Sequence, residues 1–262
     1  MNTPLPTPLD VKLMNIMAYA LFASFMLLLV GRVAVWAAGH PLFAVRGITV
    51  TGQVVHTNAA MLRTNVSPRL TGTFFTLDIK TAREAFESIG WVRQAQVHRD
   101  FPNRLKVTLE EHQAVAYWGR DSESTLVNSF GEVFEANVGE VEQEDALPRL
   151  SGPTGTAAKV LVMEQTLQPH FAALNLHIEQ LDMTPHGGWR VRLDTDGVIE
   201  LGSGTIDQVL ARTDRFLKTL TQVVARYGRT PEALETADLR HEDGYAIRLR
   251  GVSTLVADAK KK

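Results

Sequence analysis

The 262-residue sequence contains no cysteine, so disulfide bridges, Cys-ligated zinc and thiol catalysis are excluded. It also has little net charge, because 27 Lys and Arg residues against 29 Asp and Glu residues leave −2 at pH 7. Such a balance gives none of the basic surface that nucleic-acid binding requires. The only block of like charge is Lys260–Lys262, which we interpret as a solvated chain end.

The sequence lacks the common catalytic and metal-binding motifs. No His-Glu-x-x-His, phosphate loop or Gly-x-Ser-x-Gly occurs. Gly202–Gly204 is more typical of a turn in which Ser203 or Thr205 caps a helix. Asp194 and Asp196 lie in a hairpin turn without the further ligands of a calcium loop. An enzyme whose residues converge only in space remains an alternative, but we expect no catalytic residue, no metal and no cofactor.

One long apolar run lies near the N-terminus. Ile16–Ala38 is 23 residues long, and as a helix it reaches about 34 Å, enough to cross a bilayer core of roughly 30 Å. Arg32 lies where a long side chain can reach the headgroups, and Trp36 where interfacial aromatics are favoured. We predict an uncleaved transmembrane helix preceded by a short tail, residues 1–15. A signal peptide cleaved after Ala37 is the alternative.

The charges around this run do not settle its orientation. The N-terminal flank has Lys12 against Asp10, whereas the other flank carries Arg32 and Arg46. Counting Lys and Arg therefore mildly opposes a cytoplasmic N-terminus. Long domains cross membranes regardless of such counts, so charge alone leaves the orientation open.

Residues 43–112 predict a small α/β domain. The expected elements are a strand at Phe43–Gly52, a helix capped by Thr57 or Asn58, a second helix capped by Asp78, and a hairpin of Trp91–Arg99 and Arg104–Glu110. Leu105, Val107 and Leu109 alternate with polar residues, so the sheet has one buried face. The order β-α-α-β-β indicates a sheet covered by two helices.

Residues 115–250 predict a second, mostly antiparallel β-domain with a long helix, so the fold class is α+β. The expected elements are strand–turn–strand at Leu126–Phe134, a helix at Val160–Leu174, a hairpin at Trp189–Gly202, and a helix at Ile206–Tyr227 with one apolar stripe. In the closing strand, Tyr245, Ile247 and Leu249 alternate with more polar positions. Residues 251–262 form a C-terminal tail.

Residues in both domains together carry a family resemblance. In the first domain they are Trp91-Val92, Arg99, Pro102–Val107, Glu110 and, just beyond it, Ala114–Trp118; in the second they are Leu126–Phe134, the Trp189 hairpin, the long helix and Asp238-Leu239-Arg240 followed by Gly244. This set resembles the FtsQ family of bacterial cell-division proteins, with its POTRA domain and β-domain. Asn128 stands where an aspartate is common in the family.

The resemblance implies a scaffold of the division machinery that is not an enzyme. It implies an inner-membrane anchor with a cytoplasmic N-terminus, a periplasmic C-terminal portion at the septum, and binding of FtsB- and FtsL-type single-pass proteins. Such a protein links early, mostly cytoplasmic division proteins to later, mostly periplasmic ones. The alternative is a POTRA-containing component of an outer-membrane assembly or secretion system, which normally requires a β-barrel that the remaining chain cannot supply.

The resemblance also places the partner site in the segment after Asp-Leu-Arg. The expected partner-binding residues are Arg240, His241, Asp243, Gly244, Tyr245, Ala246, Ile247, Arg248 and Leu249. His241 stands where a tyrosine is frequent and Asp243 where a small polar residue can occur, so their roles stay open.

A strand that closes a domain tends to be an edge, where another chain can add by β-augmentation. We therefore expect proline at Ala246 or Arg248 to remove one edge donor each. The alternative is that Tyr245, Ile247 and Leu249 merely complete the domain's own sheet.

Overall fold

The computed structural model describes residues 9–120, 122, 124–137, 147–241 and 244–252. These residues form two compact units, which divide between Glu111 and His112. The first unit contains a long N-terminal helix and a small α/β domain, and the second contains a large sheet with two helices.

The N-terminal helix α1 spans Leu9–Ala38 and contains the whole predicted membrane segment. Its 30 residues extend about 45 Å. The helix is long and apolar enough to cross a membrane, by length and composition. None of its residues is buried. The helix therefore exposes apolar side chains on every side, as a helix surrounded by an apolar medium does.

The rest of the first unit confirms the predicted β-α-α-β-β order. Its elements are β1 (Gly47–Gln53), α2 (Ala59–Asn65), α3 (Ile79–Glu87), β2 (Val92–Asp100) and β3 (Arg104–Glu111). The central strand β3 pairs in parallel with β1 and antiparallel with β2. Ala82 and Phe86 of α3 belong to the same buried cluster as Leu105, Val107 and Leu109 of β3.

The helix caps of this unit follow the prediction, but the first strand does not. Asn58 accepts the Met61 amide at 2.8 Å, and Asp78 accepts the Lys80 amide at 3.0 Å. Strand β1 begins only at Gly47, because Pro41–Phe43 forms a 3₁₀ turn instead of extended chain. Proline suits the first position of a helical turn, since its missing amide hydrogen is not needed there.

A buried carboxylate joins the end of β3 to the loop after β1. The Glu111 side chain, 6% exposed, accepts the amides of Val55, His56 and Thr57 at 2.8–3.0 Å. The His56 ring in turn stacks on Trp91 at 3.9 Å. Burial acts to raise the pKa of Glu111, but the hydrogen bonds outweigh it and hold the pKa below its ordinary value. The loop is therefore fixed by one ionised group.

Glu111→Gln should lower the free energy of unfolding of this unit by about 2 kcal/mol at neutral pH, since hydrogen bonds to charged groups contribute roughly 1.5–3 kcal/mol. The folded pKa is depressed, so this stability is present above the unfolded pKa of about 4.3 and is lost as the pH falls through the folded pKa. Urea unfolding at several pH values measures it. Glu110→Gln is the control, because Glu110 is 52% exposed and pairs only at the surface with Arg93. Equal effects of both changes would contradict the assignment.

The described residues of the second unit form one nine-stranded sheet and two α-helices. Its elements are β4 (Ala114–Trp118), β5 (Thr125–Asn128), β6 (Val133–Glu135), β7 (Arg149–Ser151), α4 (Ala157–Ala172), β8 (Ile178–Met183), β9 (Gly188–Leu193), β10 (Val198–Ser203), α5 (Ile206–Arg226), β11 (Leu234–Asp238) and β12 (Ala246–Leu249). The strand order is β12-β11-β10-β9-β8-β7-β4-β5-β6. Five of the eight neighbouring pairs are antiparallel, which confirms the mostly antiparallel prediction.

Helix α5 connects β10 to β11, which lie side by side and parallel. Thr205 caps it in a capping box with Gln208, so Thr205 and not Ser203 is the cap. Its buried face consists of Val209, Thr213, Phe216, Leu217, Leu220 and Val224. Tyr227, predicted as part of this stripe, lies beyond the helix and is 52% exposed. Because the crossover puts β11 beside β10, the chain returns as β12 on the outer side.

Candidate partner-binding site

The closing strand β12 is the outermost strand of the sheet. It pairs antiparallel with β11, with Ala246 opposite Asp238, Ile247 opposite Ala237 and Arg248 opposite Thr236. Among the residues that the structure describes, no strand pairs with the other side of β12. One row of its backbone groups is therefore open to another strand.

The direction of the β12 amides corrects one sequence-based expectation. Arg250, just after the strand, donates its amide to Ala233 O at 2.8 Å, on the β11 side. The register shift of this pair lies in β11, between Leu234 and Thr236, so β12 itself stays regular. Since successive residues of an antiparallel strand alternate between facing their partner and facing away, the amides of Ala246 and Arg248 also face β11. The expectation that proline at these two positions removes edge donors is wrong, because their amides point toward β11 and away from the edge. The outward amide and carbonyl in the middle of the strand belong to Ile247.

The side chains of β12 attach it to the core beneath. Tyr245 Oη and Thr219 Oγ1 of α5 are 2.6 Å apart, and the Tyr245 ring meets Phe216 edge-to-face at 5.1 Å. Leu249 is 5% exposed, and Ile247 packs against the same core while half-buried. These three residues thus complete the domain's own sheet through their side chains. The backbone edge of the same strand stays open.

The opposite face of β12 is exposed. Ala246 and Arg248 both point to this face. Arg248 Nε lies 3.3 Å from Glu235 Oε2 on β11, an exposed pair of the kind that contributes little to stability. This face therefore offers one small and one basic side chain beside the open edge.

Arg240 stabilises the chain segment that leads from β11 to β12. Its Nε and Nη2 donate to Asp238 Oδ1 and Oδ2 at 2.9 and 2.6 Å, and its amide donates to the same carboxylate at 3.0 Å. The side-chain hydrogen bond from Arg240 is the main cause that lowers the pKa of Asp238 to about 2. The Arg240 side chain is still 62% exposed, so it is also accessible to a partner.

The other predicted residues of this segment are less informative. His241 and Gly244 are exposed. Asp243 lies outside the described residues. A side chain at Gly244 would meet no atom within 4 Å, so nothing in the structure explains a glycine there. Within the described residues, no group of three or more His, Asp or Glu side chains could hold a metal ion.

Two contributors to this site were missed from the sequence. Thr219 was not singled out, although its hydroxyl anchors Tyr245. Glu235, the partner of Arg248, lies on the preceding strand β11. Neither lies at a spacing that signals contact with β12, because both contacts depend on where α5 and β11 pack.

An apolar N-terminal helix, a small β-α-α-β-β unit and a sheet domain with a closing strand at its margin are together the arrangement of a POTRA-bearing, membrane-anchored class of proteins. Residues 43–112 match the family described as POTRA domain, FtsQ-type, and residues 116–240 match the family Cell division protein FtsQ/DivIB, C-terminal. The chain belongs to the FtsQ/DivIB family of bacterial cell-division proteins.

Individual relatives agree along nearly the whole chain. The chain is 37% identical to the cell division protein FtsQ of Burkholderia pseudomallei over 254 residues, which cover 97% of this chain and 98% of the relative. It is 37% identical to FtsQ of Thiomonas arsenitoxydans, with 95% and 91% covered, and 34% identical to FtsQ of Bordetella pertussis, with 92% of each covered. The match spans α1 and both units, which disfavours the alternative of a secretion or outer-membrane assembly component.

The carboxyl group of Asp238 should titrate with a pKa near 2, well below the ordinary value of about 3.9. Arg240→Gln should return it toward that value, because the main stabilising hydrogen bond is lost. Since the folded pKa is depressed, the stability that the pair contributes is present above about pH 4 and is lost as the pH falls toward 2. Carbon NMR of the side-chain carboxyl measures both values. An unchanged pKa in the Arg240→Gln variant would contradict the assigned cause.

Proposed function

We propose that this FtsQ-family protein is a divisome scaffold, not an enzyme, and that FtsB- and FtsL-type single-pass proteins bind it along the edge of β12. It sits in the inner membrane at the septum and links early cytoplasmic to late periplasmic division proteins. The observation that carries the proposal is the position of β12 at the margin of the sheet.

Addition of a partner strand uses groups that the fold already holds in place. The outward N–H and C=O of Ile247 are fixed because Tyr245 and Leu249, on either side, are anchored in the core. A preformed edge avoids most of the ordering entropy that a flexible segment would lose on binding. Backbone pairing also tolerates side-chain change, which fits the presence of His241 where the family often has tyrosine.

The side chains beside the edge set which strand is accepted. Ala246 is small, so it lets a neighbouring strand approach closely, and the exposed guanidiniums of Arg240 and Arg248 favour a partner with acidic side chains. We therefore propose that partner segments combine an extended apolar stretch with flanking carboxylates.

Membrane anchoring supplies the remainder of the affinity. We propose that α1 stays uncleaved, that residues 1–15 are cytoplasmic and that the rest of the chain after Ala38 is periplasmic. A protein and its partners held in one membrane meet in two dimensions, so their effective concentration rises. Individually weak contacts along one short strand then suffice.

The edge is tested by removing its outward amide while keeping the sheet intact. Ile247→Pro should weaken binding of an FtsB-type periplasmic segment by about tenfold relative to Ile247→Ala, because one lost hydrogen bond amounts to about 1 kcal/mol and the proline ring also obstructs the incoming strand. Proline is tolerated at edge positions whose amide points away from the sheet. Calorimetric titration of the purified full chain measures the affinities.

Ile247→Ala is the matched control, because it loses the same side chain and keeps the amide. Circular dichroism melting of both variants verifies that the fold survives. Equal affinities of the two folded variants would rule out docking along this edge.

The topology is tested by two measurements on the protein in cells. A reporter that is active only in the periplasm, fused to the C-terminus, should be active, and the mass of the mature chain should include the N-terminal residues. A mature chain that begins near Ala38 would show that a signal peptide had been removed and that the anchor is absent.

A further inference from the structure

The end of the first unit next to α1 carries a cluster of exposed apolar side chains. This basal patch consists of Leu42, Phe43, Phe75 and Phe101, of which Leu42 is 68%, Phe75 49% and Phe101 79% exposed. The aromatic rings are contiguous. Phe43 meets Phe75 at 5.0 Å, and buried Phe74 meets both Phe75, at 5.2 Å, and Phe101, at 6.2 Å. Three large side chains are thus displayed together at one end of a small domain.

Direct hydrogen bonds attach this patch to the end of α1. Thr73 Oγ1 donates to the carbonyl of Ala38, the last residue of the helix, at 2.5 Å. The Phe74 amide donates to Phe43 O at 2.7 Å. Trp36, in the last turn of the helix, is 67% exposed. The apolar surface of α1 therefore continues into the basal patch.

We propose that the basal patch inserts into the headgroup layer of the same bilayer that α1 spans. This inference rests on the membrane-spanning role of α1 proposed above. The headgroup layer on each side of the hydrocarbon core is roughly 5–7 Å thick, and aromatic side chains are enriched there. Because the Thr73 bond to Ala38 holds the patch where the chain leaves the membrane, the lipid surface is the occupant that the fold brings to Phe75 and Phe101.

The charges around the patch suit phosphate headgroups. Arg99 and Arg104 flank Phe101 on the β2–β3 hairpin, and the amide of Arg46 donates to Asn103 O at 2.9 Å beside the same turn. Asp100 is the one acidic residue of the turn. The guanidinium of Arg99 donates to Phe74 O and Leu77 O, and Arg46 and Arg104 are exposed. Exposed cations next to interfacial aromatics add attraction to anionic lipids.

The consequence is a defined orientation for the POTRA unit. Strand β1 begins beside the patch at Gly47 and runs away from it to Gln53, a distance of about 20 Å. Val55, which follows β1 and contacts Glu111 at the far end, is 72% exposed. Val55 is thus an apolar, exposed position of the same unit that should stay in water.

The chain has no cysteine, so single thiols can be introduced without removing native ones. A nitroxide is attached to Phe75→Cys, Phe101→Cys, Val55→Cys and Leu28→Cys, each in the full chain reconstituted in vesicles of phosphatidylcholine with or without phosphatidylglycerol. Spin relaxation by lipid-soluble oxygen is compared with relaxation by an aqueous nickel chelate. The same label at apolar Val55 controls for the affinity of the label itself for lipid.

The labels at positions 75 and 101 should show an oxygen-to-nickel ratio several-fold above that at position 55, in both lipid mixtures and more strongly with phosphatidylglycerol. Labels at 75 and 101 as water-exposed as that at 55, while position 28 lies in lipid, overturn the inference and leave the anchor intact. Lipid contact only with phosphatidylglycerol overturns insertion of the aromatic side chains. A water-exposed label at position 28 overturns the anchor and this inference together.

Discussion

The parallel pairing of β10 with β11 is the constraint on which the position of the closing strand β12 depends. Parallel neighbours cannot be joined by a tight turn, so the chain must cross over the sheet, and α5 makes that crossover. The buried face of α5 holds it on the sheet, and β11 is thereby laid on the far side of β10. Only then can an antiparallel return place β12 at the margin. The same helix supplies Thr219 and Phe216, which contact Tyr245, the residue just before that strand.

The first unit is stabilised in a different way from the second. Apart from α1, its helices are short, and its sheet has three strands, so it relies on a buried ionised group as well as on an apolar core. Glu111 accepts three consecutive amides, and those of His56 and Thr57 are partly buried and would otherwise lack partners. The carboxylate therefore satisfies the amides of the loop after β1 as a capping residue satisfies the first amides of a helix. The ring of His56, held in this loop, stacks on Trp91.

Local signals were enough to predict much of both units. Asp78 was predicted as a cap, and Asn58 and Thr205 were each predicted as one of two neighbouring candidates, because a cap bonds to an amide two or three residues away. The alternation of Tyr245, Ile247 and Leu249 correctly gave the buried face of β12. The alternation could not give the direction in which the backbone amides point. Side chains and amides both alternate in direction every second residue. Which amides face the sheet depends on the side on which the neighbouring strand lies. Contacts of Glu111 and Thr219 were missed because their partners are remote in sequence.

The short length of β12 limits which chains can pair with its edge. A strand of four residues offers an added chain only a few backbone hydrogen bonds, each of about 1 kcal/mol. A chain that meets the edge by chance from solution gains too little from them to remain attached. An exposed edge strand ordinarily promotes aggregation. Here its brevity makes it selective, since only a chain already confined nearby stays long enough for so few bonds to matter.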